Sequence, residues 1–259
     1  ILPLLWIILT SFRAEPGSYT SYFWPKSFTL DNYSKLILVD QQFKFTKWFI
    51  NTFIVAVVSC IGSTFIVLAV SYALSRLRFK MRKPMMNIAL ILGMFPGFMA
   101  MIAVYYILKV LGLSEGSLIR VALVLVYSGG SGLGFYIAKG FFDTIPKSLE
   151  EAAYLDGATR WQSFTRIIIP LSRPIIVYTV LNSFLAPWID FVFAKVICRA
   201  NKDYYTVSIG LWNMLEKEYV YNWFNSFAAG AVLISVPIII LFMIMQKCYK
   251  DSMSGGVKG

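Results

Sequence analysis

Residues 49–74 read FINTFIVAVVSCIGSTFIVLAVSYAL, without one charged side chain, and residues 75–84, SRLRFKMRKP, then supply Arg76, Arg78, Lys80, Arg82 and Lys83. Crossing a bilayer's hydrocarbon layer takes roughly 20 predominantly apolar residues, and cationic clusters anchor such helices on the cytoplasmic side. The stretch therefore predicts a transmembrane helix with an inner anchor. Working outward, 85–108, 121–138 and 226–246 are equally free of charge, and 175–194 contains only Asp190. Residues 1–12, ILPLLWIILTSF, form a sixth apolar run. At 1.5 Å per residue that run reaches only about 18 Å, so its helix is expected to start in preceding sequence. Composition agrees: 58% of residues are hydrophobic and 14% charged, against about a quarter charged in a soluble domain. The predicted fold class is an all-α polytopic membrane protein of six transmembrane helices, a single domain over 1–259.

Six spans place both ends of the chain on one side. The 76–84 loop, the 139–174 loop and the tail 247–259 together hold 13 cations and 5 acids, whereas the rest of the chain holds 11 and 8. The positive-inside rule assigns those three segments and both termini to the cytoplasm. The outer side then has two long segments, 13–48 and 199–224. Both are aromatic, with Tyr19, Tyr22, Phe23, Trp24, Phe28 and Tyr33 in one and Tyr204, Tyr205, Trp212, Tyr219, Tyr221 and Trp223 in the other. Two readings stand for these rings: an interfacial belt, or contact surface for an external protein.

Composition also excludes chemistry. There is no histidine, so no histidine-based nucleophile, metal site or proton relay can be assembled from this chain. The three cysteines, Cys60, Cys198 and Cys248, are too scattered for a zinc site or disulfide framework. The glycine-rich run 128–134, SGGSGLG, lacks the GK[ST] ending of a phosphate loop and lies within an apolar stretch, where close helix packing or a flexible break is the expected use. The cations serve a membrane surface rather than nucleic acid.

One cytoplasmic segment is too amphipathic to span: DTIPKSLEEAAYLDGATRWQSFTRIIIPLSRP, residues 143–174. Pro146 suits a helix start, with Glu150 and Glu151 in the first turns and Leu149, Ala152 and Ala153 along one face. Gly157 allows a left-handed stop. Thr159 with Gln162 predicts a capping box for a second helix, its apolar stripe Trp161, Phe164, Ile167 and Ile168, ending before Pro170. Two short helices joined at Gly157 make a rigid lever at the membrane surface, useful to a machine driven from outside the bilayer.

These residues resemble the permease subunits of ATP-binding-cassette importers, whose cytoplasmic signature is EAA, three residues, G, nine residues, then I-x-L-P. Glu151, Ala152, Ala153, Gly157, Ile167 and Pro170 keep every spacing, with Ile169 in the place of the usual Leu. The extended form from Glu151 to Pro174, which includes Asp156, is similar to the carbohydrate-importing branch. The DYYTV and FAAGA stretches (203–207 and 227–231) and the terminal GGVKG (255–259) are similar to the smaller permease subunit of maltose/maltodextrin importers. The resemblance implies a non-enzymatic translocation subunit in a bacterial plasma membrane, with Glu151, Ala152, Ala153, Asp156, Gly157, Ile167 and Pro170 in a coupling helix that docks on an ATPase subunit. It implies a second permease, two ATP-binding subunits that carry ATP and Mg, and an external solute-binding protein as partners, with no cofactor or metal in this chain. Tyr204, Tyr205 and Trp212 are the candidate contacts for the binding protein. Asn182, Trp188 and Asp190 are candidates for the substrate path, bordered by Met94, Phe95 and Pro96; a structural pairing of Asp190 with Lys195 or Arg199 is the other reading of that carboxylate. Another sugar, or a glycerol-phosphate, is the alternative substrate. A carrier driven by an ion gradient is the alternative class, though it would need titratable groups at the bilayer midplane that the chain lacks apart from Asp190.

Overall fold

The uncharged run opens the fold as expected: it lies inside one unbroken helix, α3 (Phe45–Arg76), that begins four residues earlier and ends on the first cation of the basic loop. The structure is a computed structural model that describes residues 1–18, 20, 22–38, 42–94, 97–130 and 134–255. Before α3 come α1 (Leu2–Ser11) and α2 (Asp31–Leu38). After it come α4 (Arg82–Met94), α5 (Gly97–Val110), α6 (Leu118–Gly129) and α7 (Gly134–Thr144). The amphipathic segment 143–174 forms α8 (Lys147–Leu155), α9 (Arg160–Ser163), a π-helical stretch (Phe164–Ile168) and α10 (Ile169–Leu171). The chain finishes with α11 (Arg173–Ile189), α12 (Val192–Cys198), α13 (Val207–Asn213) and α14 (Val220–Gly255). Among the described residues, β pairing is limited to one isolated bridge between Arg13 and Phe28. Tyr19, Phe95, Pro96, the 131–133 part of the glycine run and the 256–259 part of the tail lie outside the described residues.

Among the described residues, by length and composition, α3 and residues 220–248 of α14 can each cross a membrane unbroken, and three bent helix pairs raise the number of candidate spans to five. The apolar α1 is shorter than these spans. Sequence reading offered a flexible break as one use of the glycine run 128–134, but drew 175–194 as one span. The expected span 121–138 divides between α6, ending at Gly129, and α7. The expected span 175–194 ends early at Ile189, two residues past Pro187, and resumes as α12. Pro187 removes a backbone donor from the last turn, so the helix is weakest where it stops.

The chain divides into two compact units. The first comprises residues 1–56, 101–123 and 185–240, and it includes both of the long segments 13–48 and 199–224. Both fold into one core. Phe43 meets Trp223 at 4.7 Å, Tyr219 at 5.2 Å and Trp48 at 6.2 Å between ring centroids, edge to face. Gly210 of α13 lies against the face of Trp48, where a β-carbon would sit 1.9 Å from Cε3, so only glycine fits. The Trp48 indole donates to the Lys202 carbonyl at 2.8 Å, Asn51 to the Asp203 carbonyl at 2.9 Å, and the Val207 amide to Thr52 Oγ1 at 2.8 Å. Buried Arg13 donates to Asn225 Oδ1 at 2.7 Å and to the Gly17 carbonyl, while Asn225 donates back to the Arg13 and Glu15 carbonyls.

The second unit comprises 57–100, 124–184 and 241–259. Its core joins Val67 and Leu68 of α3, Ala138 and Phe142 of α7, Ile145, Ile168 and Ile175. Along α3, Ser59, Ser63, Ser71 and Ser75 are all buried, at helical spacing. Ser63 meets Ser183 at 3.0 Å, Ser71 donates to the Phe135 carbonyl at 3.0 Å, and Ser75 donates to Asp143 at 2.5 Å. Small hydroxyl residues let helices approach closely in lipid and satisfy the polar groups that approach buries. Larger apolar side chains such as Ile61, Phe65, Leu92 and Phe242 point outward, as bilayer-facing side chains must.

Candidate functional site

The amphipathic segment begins where α7 ends, and local chemistry shapes it. α8 stops in a Schellman motif: the Ala158 amide bonds the Ala153 carbonyl at 2.9 Å and the Gly157 amide bonds the Tyr154 carbonyl at 3.1 Å. Gly157 holds φ +83°, the left-handed conformation read from the sequence. Two residues on, Thr159 Oγ1 accepts from the Gln162 amide at 3.2 Å and the Thr159 amide donates to Gln162 Oε1 at 2.7 Å, the expected capping box. Both helix ends of the turn are thus satisfied locally, which makes the hairpin stiff.

One expectation about this segment is corrected: the helix does not end before Pro170. It widens to π geometry over Phe164–Ile168, passes Pro170 within α10, and breaks at Ser172, where α11 departs at 79°. A π stretch shifts the backbone register, which lets a helix pass a residue that has no amide to donate. The apolar face of α8 is turned outward. Leu149 and Ala152 are exposed, whereas Glu150 is only 5% exposed.

Glu150 points inward because it has a partner. Its Oε1 lies 2.7 Å from Arg76 Nε, at the last residue of α3, with both side chains nearly sealed from solvent. Arg76 Nη2 donates to the Ile145 carbonyl at 2.8 Å and Tyr72 donates to Glu150 Oε2 at 3.3 Å. The Tyr72 ring in turn packs on Phe164 at 4.5 Å, in the π stretch. Removing one member of such a pair leaves a buried, uncompensated charge and costs about 3–5 kcal/mol, whereas replacing both by apolar groups is often neutral. Sequence reading missed this pair. The available signal was the cation ending α3 together with two successive Glu in α8; nothing in the sequence says that either turns inward, or which.

The outward face is acidic and apolar. Glu151 is exposed, Leu155 is 90% exposed, and Trp161 is 69% exposed across the turn. Asp156, Gly157 and Ile167 come together with Ala158, Gln162 and Arg166 around a cleft of about 390 Å³ beneath the turn. A second cleft of about 480 Å³ runs between α3 and α8, lined by Arg76, Arg78, Lys147, Glu151 and Arg160. Ala153 is half-buried on α8, and Pro170 lies exposed in α10, outside both clefts.

The other candidates are placed less uniformly. Asn182 is exposed and donates to the Tyr178 carbonyl of its own helix at 2.8 Å. Trp188 is 2% exposed and packs edge to face on Phe49 and Phe53, a core residue of the first unit rather than the wall of an open path. Asp190 caps α12: its carboxylate accepts the Phe193 amide at 3.1 Å and the Ala194 amide at 3.2 Å, as acceptors at helix N-termini do. Tyr205 is buried and donates to the Arg199 carbonyl at 2.9 Å, so it is withdrawn as contact surface. Trp212 is exposed and Tyr204 half-exposed, in company with exposed Trp24, Phe28 and Tyr221. Among the described residues, no group of His, Cys, Asp and Glu is arranged to hold a metal ion.

Residues 65–254 match the family described as binding-protein-dependent transport system inner membrane component, and the chain belongs to that family. It is 34% identical to the galactooligosaccharides transport system permease protein GanQ of Bacillus subtilis, over 100% of this chain and 90% of that protein. It is 33% identical to the maltodextrin transport system permease protein MalD of Streptococcus pneumoniae, over the same shares. Its fold is similar to a chain in the crystal structure of a bacterial ABC transporter involved in the import of the acidic polysaccharide alginate. There the TM-score is 0.79 at 22% identity, covering 95% of this chain and 89% of that one. The expected fold class, an all-α importer permease, is thereby met.

Proposed function

We propose that this chain is one of two permease subunits of an ATP-driven oligosaccharide importer, with maltodextrin as its substrate class. The observation that carries the proposal is the stiff α8–α9 hairpin, whose exposed face bears Glu151, Leu155 and Trp161. An apolar surface flanked by a carboxylate suits a protein partner with an apolar cleft and a cation, because burial drives association and charge sets register. In this reading the partner is an ATPase subunit, one of two that bind ATP and Mg. Closure of the pair moves the hairpins, and the helix bundle alternates its access. The hairpin, the 76–84 loop and both termini face the cytoplasm of a bacterial plasma membrane, on the strength of the cation bias. On the opposite side, an external solute-binding protein docks on exposed aromatics that include Tyr204 and Trp212.

Similarity to a galactooligosaccharide permease supports a second substrate class, galactooligosaccharides. Mild-detergent purification of the chain from its native membrane, with mass spectrometry, tests the assembly: an ATPase subunit and a second permease should accompany it. The reconstituted complex should then hydrolyse ATP faster with a binding protein loaded with maltodextrin, and the same assay with galactooligosaccharide decides between the two sugars. Transport by the chain alone, without ATP, would replace this reading with a gradient-driven carrier.

A further inference from the structure

We infer that Arg76 and Glu150 are positioning residues that form the joint between the α8–α9 hairpin and the helix it must move. The inference rests on the importer reading above. A lever transmits force only if tied to its load, and apolar contact alone lets packed helices slide past one another. The inner end of α3 is tied to the hairpin at three points. Arg76 Nε meets Glu150 Oε1 at 2.7 Å in the first turns of α8, Arg76 Nη2 holds the Ile145 carbonyl just before α8, and the Tyr72 hydroxyl holds the other Glu150 oxygen at 3.3 Å. The charge of the first contact and the two directional hydrogen bonds beside it set both the distance and the rotation of α8 against α3, which an apolar pair of the same volume would leave free. The placement of Glu150 on the inner face, with Leu149 and Ala152 turned outward, is the reverse of what burial alone favours. The pair thus gives α8 one orientation, presenting Glu151 outward and holding the hairpin to α3 as one body.

The experiment measures sugar uptake per ATP hydrolysed by the complete importer in proteoliposomes, for the unaltered complex and three variants. The unaltered complex tests the importer reading by itself: if its uptake does not depend on ATP, that reading and this inference both fall. Given coupled uptake, Glu150→Gln should still co-purify with the ATPase subunit and hydrolyse ATP. Its uptake per ATP should fall about tenfold, within the range of ordinary coupling between sites. Tyr72→Phe should lower the ratio less, in the same direction. The double variant Arg76→Leu/Glu150→Leu, which removes both charges, guards against simple misfolding: it should restore membrane abundance while the ratio stays low. An unaltered ratio in the double variant at normal abundance, or a Glu150→Gln variant that loses hydrolysis and uptake in parallel, would show a merely structural pair and overturn the joint.

Discussion

Two glycines separate what a residue does for stability from what it does for movement. At Gly210 a methyl group would overlap the Trp48 ring, so Gly210→Ala overpacks the first unit by about 1–3 kcal/mol and should lower its melting temperature and membrane abundance. Gly157 has no neighbour within 4 Å of a β-carbon, and only its φ of +83° resists substitution. Gly157→Ala should therefore cost about 1–2 kcal/mol, confined to the turn. Gly157→Pro, which also removes the amide bonded to the Tyr154 carbonyl, should leave abundance intact while uptake collapses and hydrolysis continues. Normal uptake by that variant would refute the role of the turn. Asp203 gives a pH signature at the same scale. Hydrogen bonds from Lys44, then Lys47, hold its exposed carboxyl below the usual carboxylate range. A depressed folded pKa contributes stability that is whole above the unfolded value, about 3.9, and disappears as pH falls through the lower folded value. Asp203→Asn should accordingly lower thermal stability slightly at pH 7 in low salt, and the difference from the unaltered protein should vanish well below pH 4 or in high salt.

At the scale of the element, the hairpin has a structural inside and a working outside. Thr159 serves the hairpin's own fold: Thr159→Ala removes the acceptor for the Gln162 amide and half of the capping box, which is worth about 1 kcal/mol. Loosened there, the hairpin should show faster amide exchange over 160–163, with uptake reduced. Trp161 belongs to the outside. At 69% exposure it contributes little to the chain's own fold, so Trp161→Ala should leave thermal stability unchanged while recovery of the ATPase subunit in co-purification drops. Equal recovery would remove Trp161 from the docking face. Asp190 is also an element-scale residue, because capping α12 accounts for an acid inside an apolar run without invoking substrate.

At the scale of the whole molecule, the aromatic residues divide by burial. Phe43, Trp48, Tyr205 and Trp223 build the first unit, while Trp24, Phe28, Trp212 and Tyr221 remain on its surface. Aromatics left exposed over a rigid core are the usual anchors of a protein interface. Trp212→Ala should weaken stimulation of the ATPase by the loaded binding protein, raising the binding-protein concentration needed by about an order of magnitude or more, with basal hydrolysis unchanged. Unaltered stimulation would assign that surface elsewhere.

Local chemistry was legible in the sequence alone. Uncharged runs announce membrane helices, cation clusters mark their ends, and the Gly157 turn and Thr159 box follow from the few residues that make them. The motif spacing from Glu151 to Pro170 and the family it points to required no coordinates. Tertiary structure decided which face of each element is buried. Glu150 faces inward because Arg76 arrives from α3, Tyr205 and Trp223 are core because 13–48 folds onto 199–224, and Pro170 is tolerated because the helix widens before it. Burial depends on partners supplied by distant parts of the chain, and a local pattern cannot name them. A polar residue goes inside when another residue is there to satisfy it.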